Sequence, residues 1–176
     1  KSDFYVELKI DGLAIELVYK NGILETGSTR GDGLSGEDIT QNLKTVESIP
    51  LSLSGKNLPK ELVVRGEVFM GKREFEKLNK ELKKKNQKIY ANPRNFAAGS
   101  VRQLNPKITA SRKLNSFAYA LVTDLGQKTH EEEHVMLKDF GFSTNPHNKL
   151  VKNLKEIQKF RDYWEKNREK LDYEID

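Results

Sequence analysis

The dipeptide Asn21-Gly22 constrains the fold of this chain more than any other short stretch. It joins two runs, residues 13–19 and 23–29, that are rich in strand-forming side chains. An Asn-Gly pair between such runs predicts a type I′ hairpin, because both central residues need positive φ and these two tolerate it best. A hairpin commits the chain to an antiparallel sheet, with Leu24 able to face Tyr19. Residues 61–70 read as a further, buried strand: their centre is β-branched and apolar, yet it carries Arg65 and Glu67. A charge embedded in such a strand is costly unless it is paired or faces a cleft.

Other segments follow helical periodicity. Residues 37–46 predict a short helix near Ser35 or Gly36, with Ile39, Leu43 and Val46 as its apolar stripe. Residues 72–84 predict an amphipathic helix burying Phe75, Leu78 and Leu82 and presenting lysines to solvent. A turn feeding a helix is expected over 91–104, a strand over 115–123 and a helix over 131–140 ended by Gly141. The longest helix is expected over 153–171, with Leu154, Ile157, Phe160, Trp164 and Leu171 on its apolar side. Residues 51–60 read as a loop, and 173–176 as the opening of another strand. With no repeat or low-complexity linker, the expectation is one α+β domain of 176 residues.

Composition excludes several classes. Zero cysteines rule out disulfides and thiolate metal sites in this chain and fit an intracellular, cytoplasmic setting. No apolar run approaches membrane-spanning length, and the N-terminus is no signal peptide. The 31 basic and 26 acidic residues leave a net charge of +5, which allows a polyanionic partner without demanding one. The chain begins one short step before a strand, as an excised fragment would.

The candidate chemistry starts at Val6-Glu7-Leu8-Lys9-Ile10-Asp11-Gly12. At period 2, Val6, Leu8 and Ile10 point one way and Glu7, Lys9 and Asp11 the other, roughly 7 Å apart along the strand. Those three charges suit either one ligand site or an exposed ion-pair ladder. The stretch Thr29-Arg30-Gly31-Asp32-Gly33-Leu34-Ser35-Gly36 is flexible but is no P-loop, since no Lys-Ser or Lys-Thr follows at the required spacing. Arg94 and Arg102, eight residues apart, return to one side of a helix, where they suit phosphate oxygens or acidic side chains of the domain. Tyr119 reads as core or as a purine-stacking platform, and Arg168 as a phosphate ligand or a cation placed by a helix dipole. No cluster in the sequence assigns a metal ligand.

Several blocks occur together and in order: Lys9-Ile10-Asp11-Gly12, Thr29-Arg30-Gly31-Asp32-Gly33, Gly36-Glu37-Asp38-Ile39-Thr40, Val64-Arg65-Gly66-Glu67-Val68, and Ala91-Asn92-Pro93-Arg94-Asn95 with Ala97-Ala98-Gly99-Ser100. The first is the Lys-x-Asp-Gly motif of covalent nucleotidyltransferases. Together they resemble the adenylation domain of bacterial NAD-dependent DNA ligase over nearly the whole chain. The resemblance implies a nucleotidyltransferase fold of largely antiparallel sheets flanked by helices. It also implies Lys9 as the nucleophile that takes AMP from NAD, with Asp11 arranging that site. By the same likeness Glu7 meets adenine, Glu67 ribose, Tyr119 stacks on adenine and Arg30 binds the nucleotide. Arg94, Arg102 and Arg168 match basic positions that serve phosphates of nicked duplex DNA or of the adenylate.

The resemblance further implies Mg2+, zinc only in parts of the parent protein outside this chain, and a monomer without membrane contact. Against the family pattern the chain reads as a partial domain, 1–176. The segment that clasps nicotinamide mononucleotide and the motifs beyond Asp176 are absent from it, so the fragment alone is expected to be inactive or weak. A lysine amine of ordinary basicity is almost wholly protonated at pH 7, and Glu7 and Asp11 are expected to reinforce that. Desolvation, a divalent cation or nearby arginines must offset them. Two other readings share some of these features. An ATP-dependent ligase or capping-type enzyme has the Lys9 chemistry but not the Arg30 and Asn92 blocks. A non-catalytic nucleic-acid-binding module would use the helical lysines with Arg94 and Arg102.

Overall fold

The structure is a computed structural model that describes residues 3–31 and 35–176. Its strands are β1 (Phe4–Val6), β2 (Leu13–Lys20), β3 (Ile23–Thr29), β4 (Glu61–Met70), β5 (Leu114–Leu121) and β6 (Lys149–Val151). Its helices are α1 (Thr40–Leu43), α2 (Lys72–Lys84), α3 (Pro93–Val101), α4 (Pro106–Ala110), α5 (His130–Asp139) and α6 (Leu154–Asn167). Asn21 and Gly22 sit at φ 49° and 80°, and the hairpin they close pairs Tyr19 with Leu24 as expected. An antiparallel sheet of order β3-β2-β4-β5 results, with a second antiparallel pair β1-β6 beside it. The α+β class holds. Among the described residues no helix is long and apolar enough to cross a membrane.

Alternation along β4 decides which face of the sheet does what. Leu62, Val64 and Val68 are fully buried in the main core with Ile15, Leu17, Tyr19, Leu43, Val101 and Leu137. Arg65, Glu67 and Phe69 point to the opposite face. Phe69 is covered there by a smaller apolar cluster with Leu8, Leu171 and Tyr173, whereas Arg65 and Glu67 remain half-buried. Arg65 donates from Nε to Glu16 on β2 at 2.9 Å, its direct cross-strand neighbour, so the embedded cation is paired.

Four expectations need correction. The regular strand expected over 6–12 ends at Val6; residues 7–9 have no ladder partner, and Ile10 makes a single bridge to Ile175. The helix expected over 37–46 shrinks to α1, because Glu37–Ile39 is pulled alongside β3: Thr29 N–H donates to Glu37 O and Ile39 N–H to Gly27 O. Ile39, Leu43 and Val46 are still buried, so the stripe was right and its conformation was not. Strand β5 stops at Leu121 and bulges: Arg65 opposes Ala120 and Gly66 opposes Ala118, which leaves Tyr119 as the extra residue.

The long helix expected over 153–171 ends at Asn167 and passes through a 3-10 turn at Arg168–Lys170. There Leu171 turns into the smaller apolar cluster, and at the start of α2 the Asp172 backbone O accepts from Lys72 N–H (2.9 Å) while its carboxylate accepts from Arg73 N–H (3.1 Å). Docking that carboxylate on a helix N-terminus rewards leaving the helical path. Leu154, counted on the apolar side, is 73% exposed. Helix α2 forms over the predicted residues, with Lys77, Lys80, Lys83, Lys84 and Lys85 all exposed. The β1-β6 pair and α4 had no counterpart in the sequence reading.

Candidate active site

The sheet face opposite the main core opens into a cleft of about 460 Å³. Glu67 from β4, Ala14 from β2, and Phe117, Ala118 and Tyr119 from β5 form its floor. Glu7, Leu8, Lys9 and Ile10 form one wall, and Arg30, Arg94, Asn145 and Asn148 complete the lining. The β5 bulge contributes directly, since the extra residue it creates is Tyr119.

The Lys9 segment is held by its backbone rather than by a ladder. Asp176 N–H donates to Lys9 O and Asp11 N–H to Glu174 O, both at 2.9 Å. Gly12 then crosses β4 so closely that a Cβ there would lie 2.3 Å from Val68 O, and its N–H reaches the Glu67 carboxylate. Only glycine permits that approach, which is the physical reason for Gly after Lys9-Ile10-Asp11. The Lys9 ammonium contacts the Asp176 carboxylate. This contact, by hydrogen bond and by charge, holds the Asp176 carboxyl below its usual range.

The three charges once expected on one face have separate partners. Asp11 accepts from Arg94 Nη1 at 2.8 Å. Glu7 turns toward α5: its Oε2 lies 2.7 Å from His130 Nε2, and its Oε1 accepts from Asn148 Nδ2 at 2.8 Å. His134 Nε2 also stands 2.8 Å from Glu7 Oε1, but out of line for a hydrogen bond. Burial would raise the Glu7 carboxyl, yet the nearby His134 and His130 rings outweigh it and hold it below its ordinary value. Glu7 and Asp11 are therefore engaged elsewhere, and the carboxylate that Lys9 meets is Asp176.

Glu67 behaves oppositely. Burial pushes its carboxyl up to about 7, and the Gly12 N–H, Arg94 and Lys9 offset only part of that. Tyr119 above it is raised by burial and by the Glu67 charge, with Arg30 and Arg65 opposing. A carboxyl titrating near neutrality beside a lysine, in a cleft, has the electrostatic profile of a functional site.

Of the residues singled out from sequence, Glu7, Lys9, Arg30, Glu67, Arg94 and Tyr119 line this one cleft. Asp11 supports it through Arg94. Arg168 lies in a neighbouring groove between α6 and residues 6–9, where its Nη2 donates to Ile175 O at 2.6 Å. Arg102 follows the last residue of α3 and pairs with Glu37, outside both. Asp32, Gly33 and Leu34 of the glycine-rich stretch lie outside the described residues. Sequence reasoning missed His130, His134, Asn145 and Asn148; the His-x-x-x-His spacing at the start of a predicted helix was the signal available for the first two.

The sequence profile of the NAD-dependent DNA ligase adenylation domain matches residues 1–176. A DNA ligase of Clostridioides difficile (strain 630) is 47% identical over 99% of this chain and 26% of its own length. A DNA ligase of Acetivibrio thermocellus is 48% identical and one of Thermoanaerobacter sp. (strain X514) 50% identical, each over 99% of this chain and 26% of the relative. The chain thus spans about a quarter of the length of the curated relatives it matches. With the Lys9 cleft in place and the profile matched from end to end, the chain belongs to the NAD-dependent DNA ligase adenylation domain family.

Proposed function

We propose that this chain carries the nucleotidyl-transfer centre of a DNA ligase that uses NAD and seals nicks in duplex DNA during replication and repair. The observation that carries this reading is the convergence of Glu7, Lys9, Arg30, Glu67, Arg94 and Tyr119 on one cleft. The Lys9 amine forms a nitrogen–phosphorus bond to the α-phosphate of NAD. The phosphoanhydride bond breaks, and nicotinamide mononucleotide leaves with the bonding electron pair. AMP then passes from Lys9 to the 5′-phosphate of the nick, and the 3′-hydroxyl displaces it to join the strand.

Each residue has a task that its surroundings support. Tyr119 and Phe117 offer the adenine a wall of aromatic surface. Glu7, anchored from behind by His130 and Asn148, accepts from the exocyclic amine of the base. Glu67, titrating near 7, can either donate to or accept from a ribose hydroxyl. Arg30 and Arg94 meet phosphate oxygens, and the exposed Arg102 and Arg168 lie outside the cleft, where the DNA backbone would run. Lys9 must leave Asp176 before it acts as a nucleophile. Mg2+, when bound, screens phosphate charge; the exposed Asp176 carboxylate beside Lys9 is the hard oxygen donor such an ion takes. One copy of the chain supplies every cleft residue, which suits a monomer.

The test is intact mass of the full-length protein after incubation with NAD and Mg2+. The wild type gains one AMP, mapped to Lys9, and Lys9→Ala gains none. Undiminished labelling of Lys9→Ala would overturn the assignment, and labelling by ATP instead of NAD would move the chain to an ATP-dependent mechanism.

A further inference from the structure

Behind the wall of the cleft, Glu7, His130 and His134 bring one donor atom each to within 4.8 Å of one another. His130 and His134 are one turn apart on the same side of α5. The His134 side chain is only 2% exposed, and among the described residues neither of its ring nitrogens has a hydrogen-bond partner. Burying an imidazole with both nitrogens unsatisfied is costly, and native interiors rarely tolerate it without a ligand. Its Nε2 nevertheless faces Glu7 Oε1 at 2.8 Å.

We propose that Glu7, His130 and His134 form a binding site for a divalent transition-metal ion of the Zn2+ type. Two imidazole nitrogens and one carboxylate oxygen are a zinc ligand set with a position left open, whereas Mg2+ prefers oxygen alone. The surroundings have the organisation of a metal site as well. His130 Nδ1 lies 3.1 Å from Glu133 Oε2, so a carboxylate orients the ring and leaves Nε2 for the ion. The capping box of α5, in which Thr129 accepts from Glu132 N–H at 3.2 Å, fixes the helix turn that carries His130. Tyr5 packs on the His134 ring at a centroid distance of 4.9 Å and screens it from water. The carboxylates of Glu7 and Glu133 supply negative charge to offset the cation. The Glu7–imidazole contacts of 2.7 and 2.8 Å need to open only slightly to admit an ion bonded at about 2.0–2.1 Å.

This site is separate from any Mg2+ near Lys9, and its assignment does not depend on the nucleotide reading, because its readout is metal binding itself. The experiment titrates the chelator-treated full-length protein with Co2+ as a spectroscopic stand-in for Zn2+. Beyond any Co2+ held by thiolates elsewhere in the protein, one further equivalent per chain should give visible ligand-field absorption with no added thiolate charge-transfer intensity, and Zn2+ should displace it. His134→Leu and His130→Gln each lower that affinity at least tenfold, and Glu133→Gln, which leaves the ligands in place, lowers it by about tenfold. Thermal unfolding establishes that each variant is folded; if His134→Leu is not, His130→Gln alone decides. Equal Co2+ binding by wild type and the variants, or cobalt spectra arising wholly from thiolates elsewhere in the protein, would overturn the proposal.

Discussion

Replacing Gly12 by alanine tests whether the close crossing over β4 positions Lys9. The new Cβ would stand 2.3 Å from Val68 O, 2.9 Å from Glu67 Cγ and 3.1 Å from Val68 C. Ordinary contact requires roughly 1 Å more separation from the carbonyl oxygen. Val68 cannot supply it, because its strand is paired on both sides, opposite Leu13 and opposite Ser116. The displacement therefore falls on residues 9–12, whose backbone is held by the two bonds of the Ile10–Ile175 bridge, to Glu174 and Asp176, rather than by a ladder. Overpacking of this kind costs about 1–3 kcal/mol. For a chain of this size, 2 kcal/mol is a fall in Tm of roughly 4–8 °C. Moving a reacting group by about 1 Å costs on the order of a hundredfold in rate, so single-turnover transfer of AMP to Lys9 should fall far more than stability alone explains. Thermal unfolding and a rapid-quench labelling assay measure the two effects. A Gly12→Ala variant within about 1 °C of wild type and with an unchanged labelling rate would refute the reasoning.

Glu67 sets a pH dependence of known sign: its folded-state pKa of about 7 lies above the ordinary 4.5. The contribution is fully present below pH 4.5 and is lost as pH rises through 7, so Glu67→Gln should gain stability relative to wild type over that window. After allowance for solvent screening in the cleft the difference is roughly 2 kcal/mol, and parallel stability–pH curves for the two proteins would contradict it. Tyr19→Phe removes the hydroxyl that donates to Pro50 O at 2.7 Å in a fully buried side chain; it should cost about 1 kcal/mol in denaturant unfolding with the AMP-transfer rate unchanged, since Tyr19 faces the main core. Thr129→Ala removes the capping box of α5 and should cost about 1 kcal/mol, with faster amide exchange in the first turn that holds His130.

The sheet was legible because its signals are local. Asn21-Gly22 needs only its own backbone to specify a turn, and the branched residues of β4 need only a pleat to fill. The cleft was legible in outline for a different reason: Lys9 and Glu67 come from motif blocks whose chemistry has few substitutes. What escaped was everything set by pairing between distant segments. No periodicity announces that the backbone around Asp38 will bridge to Ser28 and stop a helix from starting at Glu37. Nor does any local rule say that Asp172 will cap α2 and so end the last helix, or that one inserted residue in β5 will push Tyr119 out of register. Glu7 shows the same limit most clearly, since its partners His130, His134 and Asn148 follow it by more than a hundred residues.

Two cations of the cleft share an arrangement that bears on how the proposed chemistry begins. Lys9 is matched with Asp176 and Arg94 with Asp11, and outside the cleft Arg102 is matched with Glu37 in the same way. A group of unpaired cations gathered for phosphate would repel itself, and the carboxylates relieve that repulsion. Exposed pairs of this kind stabilise a fold only weakly, so a phosphate, with more charge and more acceptor oxygens than a carboxylate, can exchange into them at little cost. The exchange at Lys9 needs the least motion of all. The Asp176 backbone is tied to Lys9 O by its own N–H, so the main chain can stay in place while the carboxylate alone rotates toward another partner. The same hydrogen bond that keeps Asp176 beside Lys9 thus lets the ion pair open without moving Lys9 from its place in the cleft.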